Sequence, residues 1–326
     1  MVTPTVIFRA DASAAIGTGH IMRCLTLADV LAARGVACVF ASEAGSAVMV
    51  PSLAYPVVPP SAMPAAHLVV VDHYGLDEAD EAMLGASAGA LMAVDDLPTR
   101  VHRCALLLDQ THGRRAEEYA ELVPPDCLIL AGSDYALLRP QFGAARATAL
   151  ARRDCGLKRI LVSLGGSDPD DVTGAVLDAI AASGLDVAVE VVMGAAAPHL
   201  EQVRRRAATL PQARVQVGVS DMAALMVEAD LAIGAGGGTA WERCCLGLPT
   251  LMLTIADNQR DVVRLVTGAG AAQAATLPSL ARQLRELTPA ALTSMSAAAA
   301  RLCDGGGADR VADAIMSFLS SKGVSP

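Results

Sequence analysis

Short, continuously apolar runs alternate with longer helical patterns along the chain, and this alternation limits the fold more than any other feature. In the first half, strands are expected at "TVIF", "VACVF", "LVVVD", "LMAVD", "ALLLD" and "CLIL". The clearest helix is "HIMRCLTLADVLAARG", apolar at Ile21, Leu25, Ala28, Leu31 and Ala32, with Gly35 placed to end it. Strands that are apolar throughout need cover on both faces, which implies a parallel sheet between helices. A charged stretch, "ARATALARRDCGLKR", separates the halves, and the alternation restarts at "RILVSLGG". Further strands are expected at "AVEVVMG", "RVQVG", "LAIGAGGG" and "PTLMLT". The expected architecture is two doubly wound, Rossmann-like α/β domains, 1–154 and 155–326, facing across a cleft. The last helix, "ADRVADAIMSFLSS", is expected to pack back on the first domain.

Composition removes several function classes. With 53% apolar residues the chain is not disordered, and four Phe, four Tyr and one Trp give few faces for stacking bases. A formal charge of −9 opposes a general DNA or RNA surface. The eight cysteines form no CxxC pair and no zinc-like spacing, and several sit in apolar segments as small buried hydrophobes. The sequence opens on a strand without a basic leader, and no apolar run reaches the ~18 residues of a membrane span. The expectation is a soluble cytoplasmic protein with no membrane or nucleic-acid partner.

Three glycine-rich turns follow three expected strands: "AIGTGH", "SLGGSD" and "GAGGGTAWE". Glycine lets backbone approach a ligand closely, and helix-start amides suit a phosphate. Gly17, Gly19, Gly165, Gly166, Ser167, Gly237, Gly238 and Thr239 are therefore ligand-binding candidates. No GxxxxGK[ST] occurs, which argues against ATP-driven phosphoryl transfer.

His20 is the sharpest single residue. It stands at a helix start, where the positive dipole end opposes a further positive charge and so suits a proton acceptor. Asp11 could orient its ring or cap the loop, and Arg9 and Arg23 bring positive charge for an anionic leaving group. Glu242 is placed to accept ribose hydroxyls, while Asn258 and Gln259 could read a sugar's donors and acceptors or cap a helix. Asp72, His73 and Tyr74 form a polar cluster at a strand end, as do the paired carboxylates of "AVDDLPTRVH". The acidic "SDPDD" reads as helix capping rather than a metal site, and His67, His102, His112 and His199 as surface or structural.

With these residues laid out, the chain resembles the UDP-2,4-diacetamido-2,4,6-trideoxy-β-L-altropyranose hydrolases of pseudaminic acid biosynthesis. The resemblance lies in "FRADASAAIGTGHIMRC", "VVVDHYGLD", "VDDLPTRVHRCALLLDQ", "YALLRPQF", "ILVSLGGSDPDD", "GAGGGTAWERCCLGLPTL" and "ADNQ", in that order. That family is related to the peptidoglycan N-acetylglucosaminyl transferase and shares its GT-B architecture. The resemblance implies a UDP-sugar held mainly by the second domain, with Glu242 at the ribose and the loops at 165–168 and 236–239 near the diphosphate. It implies His20 as the catalytic base of an inverting hydrolysis that uses no metal and no cofactor. A monomer is expected, with a product that serves flagellin or a surface polysaccharide.

Two other classes compete. A glycosyltransferase of the same fold would need an acceptor groove. For a lipid acceptor it would also need a basic patch, yet the first 150 residues contain no Lys. A non-catalytic UDP-sugar-binding protein would have no use for His20.

Overall fold

The computed structural model describes residues 3–13, 16–50, 52–153 and 156–324. The chain forms two compact units, Met1–Arg139 with Gly306–Pro326, and Pro140–Gly305.

The first unit holds a seven-stranded parallel sheet. In chain order its strands are β1 (Thr5–Ala10), β2 (Ala37–Ala41), β3 (Val57–Val58), β4 (Leu68–Asp72), β5 (Leu91–Val94), β6 (Leu106–Asp109) and β7 (Leu128–Ala131). Their order across the sheet is β3-β2-β1-β4-β5-β6-β7, so the sequential order reverses beside β1 while all strands stay parallel. In an open α/β sheet, ligands bind at the strand carboxyl ends beside such a switch point. Side chains alternate along β1: Val6, Phe8 and Ala10 enter one core with Ile21, Leu31 and Phe40, while Ile7 enters another with Val69, Leu91 and Leu107. Phe8 and Phe40 stack across the β1–β2 pair with centroids 5.1 Å apart. Each such fully buried side chain contributes roughly 1.5–3 kcal/mol by leaving water.

The second unit holds six parallel strands: β8 (Arg159–Ser163), β9 (Ala188–Met193), β10 (Ala213–Val217), β11 (Leu231–Ala235), β12 (Thr250–Leu253) and β13 (Gln273–Ala275). Their order is β10-β9-β8-β11-β12-β13, again with a reversal, here between β8 and β11. Ile160, Val162, Val191, Ile233 and Leu251 fill the core on one face. The doubly wound class expected from the apolar runs is what both sheets show. Only the two-residue β3 and the three-residue β13 had no apolar run to announce them.

The division along the chain differs from the sequence reading. The boundary placed near residue 155 falls at residues outside those described. The charged stretch around it does not separate the units: helix Pro140–Ala151, which holds its first part, belongs to the second unit. Its arginines are tied to carbonyls there. Arg146 donates to Cys303 O at 2.9 Å and Ala300 O at 2.6 Å, and Arg153 to Leu246 O at 2.9 Å. Basic side chains meet helix-end carbonyls favourably, so charge here marks packing rather than a spacer. The last helix, Gly307–Ser321, lies in the first unit, where Val311, Ala312, Ile315 and Leu319 join the core around Leu27 and Leu31.

Candidate active site

The first group of side chains gathers where β1, β4 and β5 end. His20 is the second residue of helix Gly19–Ala33, and Arg23 follows one turn later. Register pairs Ala10 of β1 with Asp72 of β4, which brings the Asp72 carboxylate beside that helix start. His20 Nδ1 lies 2.6 Å from Asp72 Oδ1. Arg23 donates from Nη2 to the same oxygen at 2.5 Å and from Nε to Oδ2. The Asp72 side chain is 1% exposed. Burial works to raise its pKa, but the Arg23 charge and hydrogen bonds outweigh it and hold Asp72 well below the usual carboxylate range.

An ionised carboxylate only accepts, so His20 Nδ1 carries the proton in their bond. In the neutral ring Nε2 then keeps its lone pair, and no described residue hydrogen-bonds to Nε2. Tyr74 stands edge-on to the His20 ring, centroids 5.1 Å apart at 87°, and donates its hydroxyl to Asp96 at 2.8 and 2.9 Å. Burial pushes the Asp96 carboxyl above its ordinary range. The arrangement is a fixed imidazole with one nitrogen available, which is what proton abstraction from water requires.

Arg9, Asp11 and His73 form a separate knot. Arg9 Nη1 donates to Asp11 Oδ2 at 2.7 Å, and the Glu43 amide donates to Asp11 Oδ1 at 2.7 Å. The Gly75 amide donates to His73 Nδ1 at 3.0 Å, which leaves the proton on Nε2, 3.3 Å from Asp11 Oδ2. Burial, with the nearby Arg9 charge, lowers the His73 pKa. One sequence expectation changes here. It is Asp72, not Asp11, that orients His20, because strand register rather than loop proximity sets the partner. Asp72, read from the sequence only as part of a polar cluster, bonds both His20 and Arg23. Gly17 bonds back to Ser13 through N–H to O at 2.8 Å with φ of 76°, a conformation that favours glycine. Gly19 is the first helical residue and faces open space.

In the second unit the glycine loops leave adjacent strands at one end. Register aligns Ser163 of β8 with Gly234 of β11, and Ala235 of β11 with Leu253 of β12. Gly165, Gly166 and Ser167 follow β8; Gly237, Gly238 and Thr239 follow β11; Asn258 and Gln259 form a short turn after β12. Gln259 accepts from the Ile255 amide at 3.2 Å and passes so close to Gly236 that a Cβ there would sit 3.1 Å from the Gln259 carbonyl. Glu242 lies half-buried in the first turn of helix Thr239–Cys245. The acidic run after Ser167 caps a helix, as its composition suggested: Asp168 accepts from the amides of Val172 at 3.0 Å and Thr173 at 2.8 Å. One residue here escaped the sequence reading. Arg243 is 2% exposed, and nothing local in "TAWERCC" announces that burial.

Comparison with known proteins bears on the fold and the family resemblance. No family model matches the sequence. Over 146 residues the chain is 41% identical to the spore coat polysaccharide biosynthesis protein SpsG of Bacillus subtilis, covering 44% of this chain and 42% of that protein. Over 148 residues it is 32% identical to the UDP-2,4-diacetamido-2,4,6-trideoxy-beta-L-altropyranose hydrolase of Campylobacter jejuni, covering 42% of this chain and 53% of the relative. The matched stretches thus span about half the length of these curated relatives. Among solved structures, MurG of Acinetobacter baumannii superposes with a TM-score of 0.68 at 15% identity, covering 96% of this chain and 99% of that one. The UDP-GlcNAc 2-epimerase of Neisseria meningitidis bound to UDP-GlcNAc gives 0.67 at 10% identity, covering 97% and 100%. The fold is GT-B-like, and the resemblance to the altropyranose hydrolases holds. Among the described residues no helix is long and apolar enough to cross a membrane.

Proposed function

We propose that the chain is a hydrolase that cleaves the anomeric C–O bond of a UDP-activated amino sugar, releasing UDP and the free sugar. The substrate proposed is UDP-2,4-diacetamido-2,4,6-trideoxy-β-L-altropyranose, in pseudaminic acid biosynthesis, and the anomeric centre inverts. The observation that carries this reading is the His20–Asp72 pair, with Nδ1 bound and Nε2 available. The partial similarity to the Campylobacter jejuni hydrolase supports the choice of sugar.

The chemistry follows from those atoms. His20 Nε2 takes a proton from water as the water oxygen attacks C1 from the face opposite UDP. The C1–O bond breaks with its electron pair on the diphosphate, and Asp72 stabilises the imidazolium that forms. Backbone amides at Gly165, Gly166, Gly237 and Gly238, with Ser167 and Thr239, meet the diphosphate charge. Glu242 accepts the ribose hydroxyls, and Asn258 and Gln259 contact the ligand beside them. UDP leaves readily, so no general acid, metal or cofactor enters the scheme. This differs from ordinary glycosidases, in which two carboxylates divide the work. The protein acts as a cytoplasmic monomer in this reading.

The test is to incubate the protein with that nucleotide sugar and follow the products by NMR. UDP release in water alone, with an inverted free sugar as first product, supports hydrolysis. Turnover only after an acceptor alcohol is added would replace it with sugar transfer. Binding without turnover would make the chain a UDP-sugar-binding protein.

A further inference from the structure

Arg243 is the most deeply buried cation of the second unit; among the described residues no carboxylate forms a direct ion pair with it, although the Glu242 charge acts on it. Its guanidinium folds back under the β11 glycine loop. Nη2 donates to Ala235 O at 2.6 Å and Nη1 to Thr239 Oγ1 at 3.0 Å, while Nε has no partner. Gly234 makes the room: a Cβ there would sit 2.6 Å from Nη1 and 2.8 Å from Cζ. Burial pushes the Arg243 pKa down to about 10, so the charge persists at neutral pH. A buried charge is costly unless it is compensated, and here a carbonyl, a hydroxyl and the more distant Glu242 charge compensate it in place of a direct ion pair.

The Thr239 oxygen already accepts from Arg243, so its hydroxyl proton points elsewhere, and no described residue accepts it. Thr239 itself is half-buried at the first position of its helix, next to the exposed Gly238. A polarised donor backed by a buried cation is the complement of a phosphate oxygen. We propose that Arg243 is a positioning residue for a nucleoside diphosphate: it fixes the Thr239 hydroxyl as a donor to the diphosphate and supplies from below the positive charge that the loop lacks. This rests on the proposed UDP site and adds to it the residue that makes the site selective for an anion.

The experiment is calorimetric titration of the full chain with UDP, uridine and inorganic pyrophosphate. Arg243→Met is expected to weaken UDP and pyrophosphate by about 10- to 100-fold, the cost of losing a charged hydrogen-bond partner, with uridine unchanged. Arg243→Lys should restore part of the UDP affinity. Gly234→Ala keeps the arginine but displaces its head, and should reproduce the loss if Arg243→Met does not fold. In Thr239→Val, removing Arg243 should cost less than it does in the wild type, because part of its effect runs through the Thr239 hydroxyl. Equal weakening of UDP and uridine, or UDP affinity unchanged in both Arg243→Met and Gly234→Ala, overturns the role. If the wild type binds pyrophosphate in an Arg243-dependent way but not UDP, Arg243 stands and the nucleotide reading falls. If it binds neither ligand, both fall.

Discussion

His20 and Asp72, 52 residues apart in the chain, are joined by a 2.6 Å contact from Nδ1 to Oδ1, and Arg23 closes on the same carboxylate from the other side. One carboxylate thus sets the tautomer of the imidazole and neutralises a buried guanidinium. Replacing His20 by Asn leaves no base at Nε2, and turnover should fall by roughly 10²–10⁴-fold with the fold intact. Steady-state UDP release beside a circular dichroism melt checks this; near-wild-type turnover would remove His20 from the chemistry.

Asp72→Asn should damage both catalysis and stability. The amide presents a donor as well as an acceptor, so the histidine tautomer is no longer fixed, and turnover should fall by about 10³–10⁴-fold. Arg23 also loses its buried counter-ion, which should cost on the order of 3–5 kcal/mol. A variant with normal stability and impaired turnover would mean that Arg23 finds another partner. One with normal turnover would show that His20 needs no orienting group.

A buried histidine away from this site predicts a pH dependence of stability. His102 lies 2.8 Å from Glu81 Oε1 and 3.2 Å from Asp95 Oδ2, and its side chain is 2% exposed. Burial would lower its pKa, but the two carboxylates outweigh that and raise it from 6.5 to about 9. The folded state therefore holds the proton more tightly than the unfolded chain. The stabilisation, on the order of 3 kcal/mol, is complete below pH 6.5 and is lost as pH rises towards 9. Urea midpoints across that interval should fall more steeply for the native chain than for His102→Gln. Parallel slopes would show that His102 titrates alike in both states.

The returning helix separates burial from surface charge. Ile315 is fully buried beside the first-unit core, so Ile315→Ala should cost about 2–5 kcal/mol. Arg34 bonds Asp309 at 2.7 Å and Asp313 at 2.5 Å, but those carboxylates are 70% and 72% exposed. Arg34→Ala should cost about 1 kcal/mol or less. Chemical denaturation of both variants decides whether apolar packing or the ion pairs hold the helix; equal losses would reverse this assignment.

What could be read in the sequence is what sequence proximity controls. The strands announce themselves through apolar runs, and His20 and the glycine loops through turns that sit directly before helices. The partners of these residues depend on which strands become neighbours. Asp72 reaches His20 because β4 lies beside β1, a fact no local pattern encodes, and Asp11, closer in sequence, pairs with Arg9 instead. Arg243 looked like an ordinary helix residue because the space it occupies is made by Gly234, nine positions earlier on another element. Likewise, "ARATALARRDCGLKR" reads in the sequence as the stretch that separates the halves, whereas Arg146 and Arg153 use their charge to bind carbonyls within the second unit. His102 gave no sign that two carboxylates enclose it.

The most direct test of the hydrolytic proposal is turnover of UDP-2,4-diacetamido-2,4,6-trideoxy-β-L-altropyranose in ¹⁸O-labelled water without added metal, read by mass spectrometry and NMR. The label is expected on the free sugar, with the anomeric configuration inverted and unlabelled UDP released, as water activated by His20 Nε2 attacks carbon. Label on UDP would mean attack at phosphorus, and would contradict the role given to His20 and the loops together.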